Sequence, residues 1–284
     1  MDKYLEKHRR MIINLIELAI LEDIGPGDIT SDAIFNPGHE SECLIISKDS
    51  GIFCGGEIAR LIYQIIDPGI NTEILINDGT VVSPGTEILK FTGPTISLLR
   101  GERIVLNFLQ RLSGIATETN RYARALLGTS IQILDTRKTL PGFRALDKYA
   151  VMTGGGKNHR MGLYDMVMIK DNHIKAAGSI TAAVRKIRVC HGSQYRVEVE
   201  AANLSEVREA LESKADVIML DNMDRETMGQ AIQLINEKAE IEISGNVELD
   251  TIDSLKDLKV TYISSGALTH SVRAFDLSMK FRTV

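Results

Sequence analysis

From Ile131 onward the chain repeats one arrangement six times, a short apolar run that ends in polar residues. The runs are ILDTRK, MVMIKDN, RVEVEA, VIMLDN, IEISGN and TYISSG. Helical patterns such as SITAAVRKIRVC, NLSEVREALESK and RETMGQAIQLINEK lie between most of them. Strands that are apolar over most of their length need cover on both faces, and helices alternating with them supply it. Successive strand ends fall roughly 20 to 30 residues apart, the length of one βα unit. A parallel sheet follows, and six units instead of eight predict an open, incomplete α/β barrel.

Ligands of such sheets sit at the carboxyl ends of the strands. The candidate site is therefore Arg137 with Lys138, Lys170, Glu200, Asp221, Ser244 with Gly245, and Ser265 with Gly266. Arginine is a planar fork and lysine a compact charge, and together they suit carboxylates and phosphates. A second basic cluster, Lys157, His159 and Arg160, follows the glycines Gly154, Gly155 and Gly156. Those glycines are either a flexible loop or a turn that aims backbone N–H groups at an oxyanion. The GxxxxGK[ST] spacing of a Walker A loop is absent.

Glu200 and Asp221 are the acidic members of a mainly basic rim. Two readings stay open for them: salt bridges to that rim, or a site for Mg²⁺ or ribose hydroxyls. They could also favour positive charge developing on a sugar ring. His159 and His173 lack metal-helix spacing, so hydrogen bonding or phosphate contact is expected of them. Neither a GxSxG elbow nor a paired Cys–His signature is present, and nothing supports a covalent nucleophile.

The first part of the chain reads differently. Tyr4 to Leu21 carries Leu5, Ile12, Ile16, Ala19 and Ile20 at helical spacings, and Gly25-Pro26-Gly27 then makes a turn capped by acids such as Asp28. Strands interrupted at Asp78-Gly79 and Pro84-Gly85 predict a small sheet with hairpin turns. Pro94 suits the first position of a long helix, expected to break near Ser113-Gly114. Arg100, Arg103 and Arg111 on that helix are expected to be solvated. The domain boundary is placed at residue 113.

The 284 residues allow two domains or one large α/β unit. A formal charge of −5 argues against broad nucleic-acid or membrane binding. Charges of both signs interrupt the apolar N-terminal run, which argues against a signal peptide, and no apolar stretch approaches the roughly 20 residues of a membrane span. Three cysteines without metal-type spacing predict reduced thiols in a cytoplasmic protein.

DTRKTLPGFRALDKYAV, GGGKNHRMGLYDMVMIKDNH, VEVE, VIMLDN, ISGN and SSGALTHS, with EDIGPGDIT upstream, closely resemble the quinolinate phosphoribosyltransferase family, also called carboxylating nicotinate-nucleotide pyrophosphorylases. The resemblance covers nearly the whole chain, in order. It implies an N-terminal α/β sandwich over residues 1–113, an incomplete α/β barrel over 114–270 with the active site at the C-terminal strand ends, and a segment 271–284 returning to the first domain. It implies a homodimer with shared active sites, which can assemble further to a hexamer.

The family's reaction moves phosphoribose from phosphoribosyl pyrophosphate to quinolinate, releasing pyrophosphate and CO₂ and leaving nicotinate mononucleotide for NAD synthesis, with Mg²⁺ required. By motif, Arg137, His159 and Arg160 resemble the quinolinate holders, with Thr136 beside them and Arg103 from the partner subunit completing the pocket. Lys138 and Lys170 resemble contacts to both anions. Glu200 and Asp221 would face the ribose hydroxyls and Mg²⁺, directly or through water. Ser244, Gly245, Asn246, Ser265, Gly266 and Ala267 would bind the 5′-phosphate. The resemblance thus makes Lys138, Lys170, Glu200 and Asp221 the catalytic set. Two other readings remain: a relative of the same fold acting on another anionic ring, and a non-catalytic binder of an anionic metabolite.

Overall fold

The computed structural model describes residues 2–282, which divide into two compact units. The first comprises residues 2–120, 139–155 and 271–282, and the second residues 121–138 and 156–270. Among the described residues no helix is long and apolar enough to cross a membrane.

In the first unit, β1 (Glu40–Ser47), β2 (Gly51–Ile52), β3 (Asn71–Ile74), β4 (Val81–Val82) and β5 (Glu87–Pro94) are joined by a last strand, Leu277–Arg282. That last strand pairs antiparallel with β1, β1 with β5, and β5 with β3, while β2 and β4 form a ladder of their own. Cys43, Leu44, Ile45, Leu89 and Phe91 are buried in the sheet. Helix Gly56–Ile66 turns Ile58, Ala59, Leu61, Ile62 and Tyr63 inward, a stripe at helical spacing whose isoleucines and leucine contribute about 1.5–3 kcal/mol each.

Asp78-Gly79 is not a hairpin tip. It connects β3 and β4, which belong to different sheets, and the Asp78 carboxylate accepts hydrogen bonds from the N–H groups of Gly55 and Gly56, each at 2.9 Å. Those donors lie at the start of helix Gly56–Ile66 and have no partner within it, so the acid does the work of a cap. Pro94 closes β5, and the long helix, Thr95–Ala125, begins one residue later.

That helix runs unbroken through Ser113 and Gly114. Ser113 Oγ accepts from the Cys54 N–H (3.0 Å) and donates to its carbonyl (3.2 Å). A Cβ on Gly114 would stand 2.2 Å from the Arg273 carbonyl oxygen. Both residues are small because another segment presses on the helix there, not because the helix ends. Arg111, expected in solvent, clasps the fully buried Asp147 through Nε (2.8 Å) and a terminal nitrogen (2.7 Å). Burial pushes the Asp147 carboxyl up, and the Arg111 guanidinium opposes it.

The second unit holds a six-stranded sheet of parallel strands: β6 (Gln132–Leu134), β7 (Val167–Ile169), β8 (Val197–Ala201), β9 (Val217–Asp221), β10 (Glu240–Ser244) and β11 (Tyr262–Ser264). Their order is β6-β11-β10-β9-β8-β7, with β6 and β7 at the two edges, so the sheet is open as the six repeats predict. Helices Ile180–His191, Leu204–Glu212 and Arg225–Ile235 start at Ser179, Asn203 and Asp224, whose side chains each accept a first-turn N–H.

Period-two alternation sorts the strands. Val197, Val199, Ile218, Leu220, Ile241 and Ile243 are buried on one face, while Glu198 and Glu200, Met219 and Asp221, and Glu242 and Ser244 share the other. The polar members of that second face lead to the site.

Candidate active site

A cavity of about 610 Å³ opens at the carboxyl ends of the six strands. β6 delivers Thr136, Arg137 and Lys138 to its wall, β7 Lys170, β8 Glu200 and β9 Asp221. Ser244, Gly245 and Asn246 follow β10, and Ser265, Gly266 and Ala267 follow β11. His159 and Arg160 complete the basic side. Arg103 belongs to the first unit, where it is exposed on helix Thr95–Ala125.

His159 and Arg160 reach the site because their segment is stitched to β6. Lys157 N–H donates to the Ile133 carbonyl (2.9 Å), Asp135 N–H to the Lys157 carbonyl (3.2 Å), and His159 N–H to the buried Asp135 carboxylate (2.8 Å). Arg160 is buried, with a terminal nitrogen 3.4 Å from the Met166 carbonyl. Burial and then the neighbouring Arg137 guanidinium lower its pKa, but an arginine stays charged across the working pH range. Two guanidinium groups held together in this way favour a ligand that brings at least two negative charges.

His159 rests on two acids that sequence reasoning missed. Its Nε2 lies 3.0 Å from Glu198 Oε2 and 3.4 Å from Glu242 Oε2, and both carboxylates are buried. Burial pushes the Glu198 carboxyl up, His159 pulls it down, and Glu242 adds to the rise. Burial also disfavours a charged His159 ring and the acids favour one, the acids prevailing on that balance. The Arg160 N–H donates to Nδ1 at 2.7 Å, so one ring nitrogen meets a backbone donor while the other faces the two acids.

The three side chains offer ligand atoms within 4.8 Å of one another, close enough for a cation. A histidine bound to metal through Nε2 carries its proton on Nδ1 and donates it to an acceptor. Here Nδ1 faces a donor, so the cluster is read as a hydrogen-bonding floor.

Glu200 accepts an ion pair from Lys170, with Nζ 2.7 Å from Oε2. Of its two open readings the salt bridge is therefore realised in this state, and the carboxylate still lines the cavity. Asp221, on the next strand, accepts from the Asn222 side chain at 3.1 Å. Two half-buried carboxylates facing one cavity are a donor set suited to Mg²⁺, which prefers oxygen ligands and keeps several waters.

Just beyond β10, whose Ser244 pairs with Asp221, Gly245 and Asn246 take left-handed φ values of +99° and +48°. Among the described residues nothing accepts a backbone N–H of Gly245, Asn246 or Gly266. Ser265 Oγ donates to the Val247 carbonyl at 2.7 Å and thereby joins the two turns. Unused N–H groups in neighbouring turns form an anion-binding concavity.

Two of the three glycines have a structural job. Gly154 ends helix Arg144–Thr153, and a Cβ on it would stand 2.3 Å from the Ala116 carbonyl oxygen. Gly155 has a φ of +95°, which finishes the turn. His173 is hydrogen-bonded, its Nδ1 accepting the Lys170 N–H at 3.0 Å.

Residues 28–113 match the family described as quinolinate phosphoribosyl transferase, N-terminal domain, and residues 115–280 match its C-terminal domain. The probable carboxylating nicotinate-nucleotide pyrophosphorylase of Bacillus subtilis is 46% identical over 266 residues, 93% of this chain and 91% of that one. A decarboxylating quinolinate phosphoribosyltransferase of Nicotiana tabacum, 2a, mitochondrial, is 44% identical, covering 95% of this chain and 82% of that one. The crystal structure of NadC from Streptococcus pyogenes superposes with a TM-score of 0.92 at 39% identity, covering 95% of each chain.

Proposed function

The chain belongs to the quinolinate phosphoribosyltransferase family, and from that premise we propose that it transfers phosphoribose from phosphoribosyl pyrophosphate to quinolinate with loss of CO₂. The observation that carries the reading is the division of one cavity into a basic end, with Arg137 and buried Arg160, and an acidic edge, with Glu200 and Asp221.

Arg137 and Arg160 hold the two carboxylates of quinolinate, which points the ring nitrogen across the cavity. The turns at 244–246 and 265–267 receive the 5′-phosphate through backbone N–H groups. Lys138, whose carbonyl is fixed by the Thr269 hydroxyl at 2.9 Å, and Lys170 neutralise the carboxylates and the pyrophosphate. Glu200 and Asp221 would hold Mg²⁺, directly or through water, and its charge would offset that of the departing pyrophosphate. The same carboxylates favour positive charge growing at C1 of the ribose.

The quinolinate nitrogen bonds to C1 as the bond to pyrophosphate breaks. The nitrogen is then cationic and adjacent to C2, so the C2 carboxylate leaves as CO₂ and its bonding electron pair stays on C2. A proton takes that place, giving nicotinate mononucleotide. Exclusion of bulk water around the bound ring would favour the loss of that carboxylate as neutral CO₂.

A homodimer is part of the reading, in which Arg103 of a second copy completes the quinolinate end. So is a cytoplasmic location, in keeping with three free cysteines. In the direct test, purified protein receives phosphoribosyl pyrophosphate and Mg²⁺ with either quinolinate or nicotinate. Pyrophosphate release that depends on quinolinate supports the reading, and release with nicotinate alone overturns it.

A further inference from the structure

Asn222 stands one residue beyond β9 with a φ of +51°, a left-handed conformation that asparagine tolerates better than most side chains. Such a residue persists only where its surroundings hold it. Its N–H donates to the Ser244 carbonyl at 3.0 Å. Its Nδ2 donates to Asp221 Oδ2 at 3.1 Å, and its Oδ1 accepts from Asn246 Nδ2 at 3.3 Å. The turn it touches is left-handed too, at Gly245 and Asn246. A Cβ on Gly245 would lie 2.3 Å from Asn222 Oδ1, so that position is glycine because the amide fills the space.

One side chain thus spends both arms of its amide on two different parts of the site. We propose that Asn222 is a positioning residue that ties the Asp221 carboxylate to the turn 244–246, so that an occupied phosphate turn sets the carboxylate facing the sugar. The inference rests on the reading above, which places the ribose at Asp221 and the 5′-phosphate at that turn. An aspartate at 222 could still accept from Asn246 but would present a second carboxylate to Asp221 instead of a donor. A glycine would keep the left-handed backbone and lose both ties.

The test compares wild type with Asn222→Asp and Asn222→Gly. It reads kcat, ribose 5-phosphate affinity by calorimetry, quinolinate affinity without the sugar, and thermal midpoint as a folding control. Both variants should lose about tenfold in kcat and in ribose 5-phosphate affinity while quinolinate affinity is unchanged. Combining Asn222→Gly with Asn246→Gly should cost less than the sum of the two, because they cut one link.

Wild-type kcat and sugar affinity in both variants would overturn the proposal. So would equal losses of sugar and quinolinate affinity, additive losses in the cycle, or no binding of ribose 5-phosphate by the wild type. If the wild type fails to turn over quinolinate, the functional reading falls separately, and the affinity measurements still decide the tie.

Discussion

Lys170 Nζ lies 2.7 Å from Glu200 Oε2, across neighbouring strand ends. The acid assigned to metal and sugar is thus already held by a cation of the same chain. With the lysine side chain 45% exposed, such a pair is worth about 1 kcal/mol or less to stability. Its consequence is competition, since a bound Mg²⁺ and Lys170 both seek one carboxylate. Lys170→Met should lower kcat by about tenfold or more through loss of an anion contact. It should also reduce the Mg²⁺ concentration that gives half-maximal rate. Initial rates across a Mg²⁺ series check this, and a raised Mg²⁺ requirement would count against it.

Arg160 is buried beside Arg137, so its fork has a fixed direction. Arg160→Lys keeps the charge and loses the paired donors, a change expected to weaken quinolinate binding by about 2 kcal/mol. Phosphoribosyl pyrophosphate affinity should stay as it was. Calorimetric titration with each substrate separates the two, and equal weakening of both would assign Arg160 a general electrostatic role.

Arg103 is exposed on its helix and belongs to the other unit. If a second copy supplies it, Arg103→Ala and Lys138→Ala proteins should each be inactive alone and regain about a quarter of full activity after equal mixing and subunit exchange, since random pairing leaves half the dimers mixed with one intact site each. Exchange followed with labelled subunits but without recovered turnover would remove the shared site from the account.

Gly154 packs where a Cβ would meet the Ala116 carbonyl at 2.3 Å. Gly154→Ala should destabilise the fold by about 1–3 kcal/mol in denaturant unfolding, with KM for both substrates unchanged in the folded fraction. A raised KM at full stability would restore an anion-binding role to the glycines.

The strand ends were legible because period-two alternation and βα spacing together state which residue follows each strand. Lys170, Glu200 and Asp221 needed nothing else. Arg111 was not legible: its partner Asp147 lies 36 residues on, and an arginine on a charged helix looks the same whether solvated or clasping a buried acid. Glu198 and Glu242 left a fainter signal, standing two residues before Glu200 and Ser244 and hence on the cavity side of their strands. A strand acid is ordinarily read as solvent-facing, and in this open sheet it is the His159 segment that covers that face. Asp78 misled for a related reason, because Asp-Gly marks a turn without saying whether its strands pair.

In the proposed reaction a dicarboxylate held by two arginines is alkylated at nitrogen and loses its C2 carboxylate. The most direct measurement gives the enzyme quinolinate labelled with ¹³C in the C2 carboxylate, together with phosphoribosyl pyrophosphate and Mg²⁺, and follows label and pyrophosphate together. One labelled CO₂ released for each pyrophosphate, with nicotinate mononucleotide as the only nucleotide, is the predicted result. Pyrophosphate release with the label retained in the nucleotide, or no nucleotide at all, would contradict it.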